Sequence, residues 1–599
     1  MFKNIIYSLP FIFILSCNSD KKEATASSKL NDNPSFSGIK DRAWWKEAII
    51  YQIYPRSFKD SDGDGVGDLK GIISKLDYLK NLGINAVWLN PIYSSPNDDN
   101  GYDISDYRNI LAEFGTMEDF NALLKGMHDR GIKLVMDLVV NHSSDEHEWF
   151  KQARSSRSSP YRDYYHWWNG ERGKPNPRYS FFDVNNDAWR YDSLTNAYYL
   201  HYFSVKQPDL NWENPKVREE VYSIMKYWLD KGIDGFRMDA FQFVSKDTSF
   251  PALPKDYTTH LIEFYGKGAH LHDYIQEMNK KVLSKYDIMT VAEGAGANSD
   301  DAMKFVDPDR HELNMAYHFE AIDMAFQPGP YPSPYPEGYN RTKLKKVFTH
   351  WDSAFAKKGW LSIYMANHDQ PRMVSHWGND NSAYRDLSSK MLTTFVLSMR
   401  GTPYYYYGDE LGMTNIRFDS ISEYNDLAVR NRYKQIKEHG GDGKAFLEAM
   451  KYSSRDNGRT PFQWDSTSNA GFTTGKPWLM VNPNYLSLNA AAQERDPNSP
   501  LNYFRMMVAL RKNSPALIYG AYQLIETVND NFYVYTRTQG EEKLLVLLNF
   551  GNDAGEVKLP SGLEHFSNGS VLINNYPDPT VDLSGGVLHL KPWQALIIK

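Results

Sequence analysis

The sequence has almost no cysteine, no apolar run long enough to cross a membrane, and no excess of positive charge. Cys17 is the only cysteine among 599 residues, so an intramolecular disulfide is excluded. The apolar run at residues 5–15 is too short to span a bilayer. Lysine and arginine number 67 against 74 acidic residues, the net charge is -7 and the pI is near 6.2, so no nucleic-acid partner is expected. We find no internal repeat beyond an alternation of strand and helix patterns.

The N-terminus has the features of a secretory signal. Lys3 supplies a positive start, residues 5–15 form a short apolar region, and Ser16 and Cys17 follow. Residues 1–17 resemble a bacterial lipoprotein signal peptide that ends at a lipidated Cys17, and an ordinary secretory signal with a chance cysteine is the alternative. Residues 18–42 are rich in Ser, Lys, Asn and Asp and are interpreted as a flexible tether. The resemblance implies a protein of the bacterial cell envelope that touches the membrane through its lipid anchor only.

Four short apolar runs end in carboxylate or imidazole side chains. Residues 132–140 precede His142, residues 235–238 precede Asp239, residues 287–292 precede Glu293, and residues 361–366 precede Asp369. Each run follows a helical pattern, and strands that alternate with helices predict a parallel sheet. When such a sheet closes into an eight-stranded barrel, catalytic groups come from the C-terminal ends of several strands.

Arg237 and Asp239 are two residues apart on one predicted strand, so their side chains share a face. A guanidinium beside a carboxylate is predicted to keep Asp239 ionised and to lower its pKa. An ionised carboxylate at a strand end can act as a nucleophile. Taken alone, the pair is as well explained by a structural ion pair.

Together and in this order, the four motifs resemble the α-amylase family, glycoside hydrolase family 13, from about Trp44 to the C-terminus. Residues 207–211, Gln-Pro-Asp-Leu-Asn, are similar to the marker of its oligo-1,6-glucosidase subfamily. The resemblance implies an α/β fold: a (β/α)8 TIM barrel with an inserted B domain and a C-terminal antiparallel β domain. The implied boundaries are 43–142 and 203–520 for the barrel, with an insertion at about 417–497, then 143–202 for domain B and 521–599 for the C-terminal domain.

The resemblance also implies roles for three carboxylates. Asp239 is the expected nucleophile, Glu293 the acid/base, and Asp369 the transition-state stabiliser that binds sugar hydroxyls. Retention requires the first two carboxyl groups to lie about 5–5.5 Å apart. Glu293 must start protonated, so we expect its pKa to be raised by apolar surroundings and by the neighbouring carboxylate.

Six further residues match the family's substrate-binding positions: Tyr102, Asp103, His142, Arg237, His368 and Arg455, with Arg459 as second choice for the last. Tyr102 is expected to stack on the terminal sugar, and His142 to donate to its 6-hydroxyl. Asp103 and Arg455 are expected to bind the far hydroxyls together. That pair would close the cleft beyond the terminal sugar, which predicts a pocket and exo attack.

Residues 60–68, here called the acidic loop, alternate carboxylates with glycines, a pattern that suits a hard cation. Gly71 stands where an EF-hand would carry its bidentate Glu, so this is not an EF-hand. The resemblance implies one structural Ca²⁺ or Mg²⁺, held by Asp60, Asp62, Asp64, the backbone of Val66, and Asp68. A metal-free acidic turn is the alternative.

The implied function is a retaining, exo-acting α-glucosidase whose partners are short α-gluco-oligosaccharides. Ala240 follows the nucleophile, where α-1,6-cutting members tend to carry Val and α-1,4-cutting members Thr, so the linkage stays open. Residues 321–340 contain no Arg, which argues against a sucrose isomerase. A transglucosidase, or a sucrose- or trehalose-acting member, is the closer alternative. A non-catalytic glucan-binding lipoprotein would not need all three carboxylates. The proline-rich stretch 327–336 is predicted to border the cleft mouth, and a plain surface loop is the alternative.

Overall fold

A computed structural model of the chain describes residues 30, 33–294, 296, 298–324, 326–327, 333–334, 339–578, 581 and 587–599. Cys17 and the predicted signal lie outside these residues, as does most of the proline-rich stretch 327–336. Within the described ranges, no helix combines the length and the apolar character that crossing a bilayer requires.

Eight parallel strands form the barrel. They are β1 (Ile50–Ile53), β2 (Ala86–Leu89), β3 (Lys133–Val139), β4 (Gly235–Asp239), β5 (Met289–Ala292), β6 (Met315–Ala316), β7 (Ser362–Ile363) and β8 (Thr402–Tyr406). Each strand pairs with its neighbours in the chain, and β1 pairs with β8 through Ile50 and Tyr404. A parallel bridge between Ala316 and Leu361 joins β6 to β7 and closes the ring. The predicted fold class is therefore confirmed.

Helices follow every barrel strand. In order they are Leu69–Ser74 with Leu76–Leu82, Met117–His128, Pro215–Lys231, Leu271–Lys281, Ser299–Val306, Arg341–Ala354, Arg385–Ser398 and Pro500–Asn513. The first two helices are separate because Lys75 lies between them with a φ of -112° and a ψ of 10°, which depart from helical values.

The helix Pro215–Lys231 shows how local sequence sets the position of β4. The Asn214 side chain accepts a hydrogen bond from the backbone N–H of Lys216, and Pro215 occupies the first turn, where its missing N–H is tolerated. Gly232 ends the helix with a φ of 104°, a left-handed conformation that glycine adopts without a steric penalty. These two local signals fix both ends of the helix, and β4 begins three residues after Gly232.

Two long connections rise from the carboxyl ends of the barrel strands. Residues 143–202 contain the helix Glu148–Ser155 and an antiparallel sheet of Trp167–Asn169, Ala197–Leu200 and Trp189–Asp192. Residues 417–497 contain the helices Leu427–Glu438, Gly443–Ser453 and Ala490–Gln493. The Asn431 amide donates to the carbonyl of Phe182 at 2.8 Å, so the two connections meet above the barrel.

The C-terminal part is antiparallel β structure, as predicted. Its main sheet has the order Ala521–Ile525, Phe532–Gln539, Glu542–Asn549, Ala595–Ile598 and Val571–Asn574, and Gly555–Lys558 pairs with Val587–Leu590. Tyr535 and Ser398 share a buried hydrogen bond of 2.6 Å, which ties this sheet to the helix after β7.

Candidate active site

The carboxyl ends of the barrel strands bring the predicted catalytic residues to one edge. Asp239 is the last residue of β4, Glu293 follows β5 directly, and Asp369 lies in the loop after β7. Asp137, on β3, points to the same centre because it shares a partner with Asp239 and Glu293. The four runs that end in polar side chains therefore converge, as catalytic groups in this kind of barrel do.

Arg237 contacts three carboxylates at the centre of the site. Its guanidinium is fully buried, donates to Asp137 Oδ1 at 2.8 Å, and makes close ion pairs with Asp239 Oδ1 and Glu293 Oε1. Its Nε donates to the Tyr317 hydroxyl at 3.2 Å. One cation thus holds two of the predicted catalytic carboxylates on neighbouring nitrogens. That arrangement favours the close separation, about 5–5.5 Å, that a retaining pair needs.

The second oxygen of Glu293 has a backbone partner. It accepts a hydrogen bond of 2.8 Å from the N–H of Ala240. Ala240 has a φ of 45°, in the left-handed region that a non-glycine residue adopts only when its surroundings impose it. The strained turn after the strand orients this N–H toward the carboxylate.

Burial controls the protonation of this pair. Desolvation raises the pKa of Asp239 to about 7, although Arg237 acts in the opposite direction. Desolvation raises the pKa of Glu293 to about 8; Arg237 opposes the shift, and the charge of Asp239 adds to it. The prediction that Arg237 leaves the pKa of Asp239 lowered is therefore wrong, because burial outweighs the cation. The order of the two pKa values still fits the predicted roles, since Asp239 loses its proton at a lower pH than Glu293 does.

Asp369 is the carboxylate that stays ionised. Burial would raise its pKa, but His368 and the guanidinium groups of Arg455 and Arg459 hold it well below its usual range. Burial lowers the pKa of His368 to about 3, so this ring is neutral near pH 7 and the two arginines carry the effect there. Arg455 Nη1 lies 3.0 Å and Arg459 Nη2 lies 2.8 Å from Asp369 Oδ1. Both candidates for the sugar-gripping arginine therefore reach the site.

The two predicted sugar-facing rings are fixed by the protein. Tyr102 stacks on His368, with ring centroids 5.2 Å apart and an interplanar angle of 8°. His142 Nε2 lies 3.0 Å from the carbonyl oxygen of Tyr102, and its Nδ1 lies 3.2 Å from the Asn141 amide. Burial lowers the pKa of His142 to about 3, so it is neutral. Their contacts with a sugar stay predictions.

The loop carboxylate that faces Arg455 is Asp99 and not Asp103. Asp103 is fully buried and accepts hydrogen bonds from the Ser95 hydroxyl at 3.0 Å and from the backbone N–H groups of Asp98 and Asp99, at 2.9 and 3.0 Å. Asp99 Oδ1 lies 3.6 Å from Arg455 Nη2. The predicted pairing of Asp103 with Arg455 is therefore wrong, because Asp103 folds the loop that presents Asp99.

Asp426 is a second carboxylate of the site that the sequence analysis did not predict. Asp426 binds Arg455 through both oxygens, at 2.9 and 2.6 Å. Arg455 also lies over the Phe182 ring, 4.9 Å from its centroid. The 417–497 connection thus supplies both the arginine and the carboxylate that holds it.

The sequence contained only a weak signal for Asp99. The run at 97–101 contains Asn and Gly, which predicts a tight turn but not which carboxylate faces Arg455.

The acidic loop brings three carboxylates together. Asp60, Asp62 and Asp68 each offer an oxygen within 4.8 Å of the others. Among the residues that the structure describes, Asp64 is outside this group, and its carboxylate accepts from the Val66 N–H at 2.7 Å. Three negative charges so close repel one another, and oxygen ligands suit a hard cation, so the residues fit Ca²⁺ or Mg²⁺.

The acidic loop rests on residues 471–478 of the long connection after β8. The Asp60 N–H donates to the carbonyl of Phe472 at 3.1 Å, and the Trp478 N–H donates to that of Gly65 at 3.0 Å. A side chain at Gly65 would place its Cβ 1.9 Å from the Lys476 carbonyl oxygen, so only glycine allows this approach. The loop and the connection therefore support each other.

Comparison with known proteins agrees with this geometry. The family model described as "Alpha amylase, catalytic domain" matches residues 52–520, and the "Alpha-amylase SusG C-terminal domain" model matches residues 533–597. An oligo-1,6-glucosidase of Parageobacillus thermoglucosidasius is 51% identical over 569 residues, which is 93% of this chain and 99% of that protein. One from Bacillus cereus is 48% identical over 566 residues, covering 93% and 100%. A crystal structure of a trehalulose synthase variant with Tris is 44% identical and covers 93% of this chain and 100% of its own, with a TM-score of 0.89.

Proposed function

The chain belongs to the α-amylase family of glycoside hydrolases, and from that premise we propose that it is a retaining, exo-acting α-glucosidase that releases glucose from the non-reducing end of short α-glucosides. The oligo-1,6-glucosidase relatives support α-glucosides as substrates. The observation that carries the proposal is the single guanidinium of Arg237 between Asp239 and Glu293.

In the proposed mechanism, Asp239 attacks the anomeric carbon while Glu293 protonates the leaving oxygen, and a covalent glycosyl-enzyme forms. Glu293 then takes a proton from water, which attacks the same carbon and releases glucose with retained configuration. The pKa order of the pair supports this division of roles, because a nucleophile must be ionised while the acid still holds its proton.

Asp369 is the proposed stabiliser of the transition state. Its carboxylate stays ionised, so it can accept hydrogen bonds from two sugar hydroxyls as the ring flattens. Such contacts accelerate the reaction only if they are stronger in the transition state than in the bound substrate. We propose that Tyr102, His142 and His368 hold the same sugar from the side.

Exo attack follows from the charged group beyond Asp369. Asp99, Arg455 and Asp426 form one buried network there. Hydroxyls of a non-reducing end can bond to these charges, whereas a continuing glucan chain would separate them and leave buried charges unpaired. The contact between Asn431 and Phe182 supports a walled pocket in place of an open groove.

Hydrolysis products test the proposed function. Purified protein is incubated with maltose, isomaltose, sucrose and trehalose, and the products are separated. We expect glucose from maltose or isomaltose as the first product. The likeness to a trehalulose synthase makes sucrose the informative control, since conversion of sucrose to an isomeric disaccharide would reassign the enzyme. Longer oligosaccharides at high substrate would identify a transglucosidase.

We further propose a structural Ca²⁺ or Mg²⁺ in the acidic loop, held by Asp60, Asp62 and Asp68 with Asp64 and the Val66 backbone. The proximity of three carboxylate oxygens supports it. The bound ion would offset part of the negative charge of the loop and take no part in the reaction.

The remaining proposal concerns location. We propose that Cys17 is lipidated and tethers the enzyme to the bacterial cell envelope, on the strength of the signal pattern at residues 1–17. Expressed in a Gram-negative host, the wild-type protein should fractionate with membranes, and Cys17→Ser should abolish acylation. Recovery of processed protein with an unmodified Cys17 would contradict this.

A further inference from the structure

A second cavity, outside the catalytic centre, lies where the 143–202 connection meets the loop that follows β4. It has a volume of about 510 Å³ and is bounded by the loop that follows β4 and by Arg178, Tyr202 and Glu213. Cavities that hold small ligands span roughly 300–1,000 Å³, so its size is sufficient. Its lining includes neither the three proposed catalytic carboxylates nor Arg455.

An aromatic layer separates this cavity from the catalytic pocket. Tyr202 lines the cavity, and its ring lies 6.4 Å from that of Phe243. Phe243 lies 6.2 Å from Phe203, whose ring is 5.1 Å from His142 in the catalytic pocket. The two sites are thus neighbours that share a wall.

The charged side chains around the cavity balance in number, and its three cations are already hydrogen-bonded or ion-paired within the protein. Three cations (Arg178, Lys246, Lys267) and three carboxylates (Glu213, Asp247, Glu263) line it, so their formal charges cancel. Lys246 donates to the Asn141 side chain at 3.0 Å and to the Phe243 carbonyl at 2.6 Å, and lies 3.4 Å from Asp209. Lys267 lies 2.6 Å from Glu263 and 3.0 Å from Asp301. Arg178 donates to backbone carbonyls at 2.9 and 2.7 Å. With its cations committed, the cavity favours a neutral ligand rich in hydroxyl groups over an ion.

Aromatic rings supply the apolar part of the lining. Tyr202 and Tyr265 stack with ring centroids 4.0 Å apart and an interplanar angle of 11°. Tyr202 and Tyr265 are buried and form a packed wall, whereas Phe264 is 40% exposed and presents its ring to a ligand. The C–H face of a pyranose packs on such a ring while its rim of hydroxyls reaches the polar groups.

Backbone strain holds one wall in place. Phe250 has a φ of 45°, a genuine outlier for a bulky residue. This conformation turns its ring inward, where it is 3% exposed and packs edge-on against Trp189 at 4.9 Å. A strained residue is kept only when its surroundings over-determine it, and such residues cluster where ligands are held.

We propose that this cavity is a second carbohydrate-binding site, which takes a short neutral α-gluco-oligosaccharide and keeps substrate beside the catalytic pocket. The choice of an α-glucan rests on the proposed function. The mixture of stacked rings and hydrogen-bonding groups without a free cation is independent of it.

The test counts binding sites with maltotriose as the probe. In the Glu293→Gln background, which prevents turnover, calorimetric titration should give two molecules per chain. Adding Phe264→Ala should lower the affinity for the second maltotriose molecule about tenfold, which is the loss expected when one stacking ring is removed. Phe264→Tyr should retain it. Thr248→Trp, at an exposed rim position, should block the cavity without disturbing the core. With Glu293 restored, Phe264→Ala should leave hydrolysis of a small chromogenic α-glucoside unchanged.

One molecule per chain, or two that neither variant affects, would overturn the second site. Binding of inorganic phosphate that Thr248→Trp abolishes would also overturn it, because the cavity would then select an anion. Hydrolysis of maltose and isomaltose is measured alongside. If wild-type protein hydrolyses them and a single molecule binds, only the second site fails. If two bind and nothing is hydrolysed, only the proposed function fails.

Discussion

Exchanging Asp99 for Asn should impair substrate recognition, whereas exchanging Asp103 should impair stability. Asp99 is 5% exposed and lies 3.6 Å from Arg455, so Asp99→Asn replaces a carboxyl group in the network proposed to bind the terminal sugar. A hydrogen bond that involves a charged group is worth about 1.5–3 kcal/mol. Because each 1.4 kcal/mol is about tenfold, kcat/KM should fall by roughly 10- to 150-fold.

Asp103→Asn is the matched control, because it makes the same chemical change four residues away. Its carboxylate accepts from two backbone N–H groups and one hydroxyl, and an amide NH₂ in place of one oxygen would face a donor. Leaving such a buried donor unsatisfied costs about 1–3 kcal/mol of unfolding free energy. Its kcat/KM at 25 °C should stay close to wild type.

The assays are initial rates on isomaltose and maltose, together with thermal unfolding of both variants. We expect the rate loss in Asp99→Asn and the stability loss in Asp103→Asn. The reverse pattern, with recognition lost at Asp103 and retained at Asp99, would refute the assignment of Asp99 to the terminal sugar.

Three further predictions concern the pair and the acidic loop. Asp239→Asn or Glu293→Gln should each lower kcat by about three orders of magnitude or more with the fold intact, and a variant that keeps a tenth of the activity would contradict its role. The pH profile of kcat/KM should peak between about 7 and 8, falling below as Asp239 is protonated and above as Glu293 loses its proton; a plateau down to pH 5 would exclude this pair. Chelation should lower Tm more than it lowers activity measured well below Tm, and an unchanged Tm would exclude a structural metal.

The barrel could be predicted from sequence where its strands are long and end in a polar residue. The run at 132–140 became β3, and the run before Glu293 became β5. β6 has only two residues, Met315–Ala316, which is too short to show any periodicity. Its position is set by pairing with β5 and by the bridge to Leu361, both of which are tertiary contacts.

The catalytic residues could be predicted where they lie at the ends of barrel strands, and the residues on long connections could not. Residues at strand ends are placed by the sheet, so Asp239 and Glu293 followed from the motifs. Asp99 and Asp426 lie on long connections, and the direction of each carboxylate depends on loop conformation, such as the φ of 48° at Asn100. The raised pKa of Asp239 could not be predicted either, because desolvation depends on the completed fold.

The contact between the acidic loop and residues 471–478 also determines how late the loop can gain its native partners. Thr473 donates a hydrogen bond to Asp60, although 413 positions separate them. At roughly 5–20 residues per second, about 20–80 s of synthesis separate the two partners, and export of the chain through the proposed signal would lengthen that delay. Until residue 473 is present, the acidic loop lacks this hydrogen bond, and β1 lacks its pairing with β8 until residues 402–406 are present. β1 and the loop after it therefore cannot complete their native contacts before more than three quarters of the chain has been made.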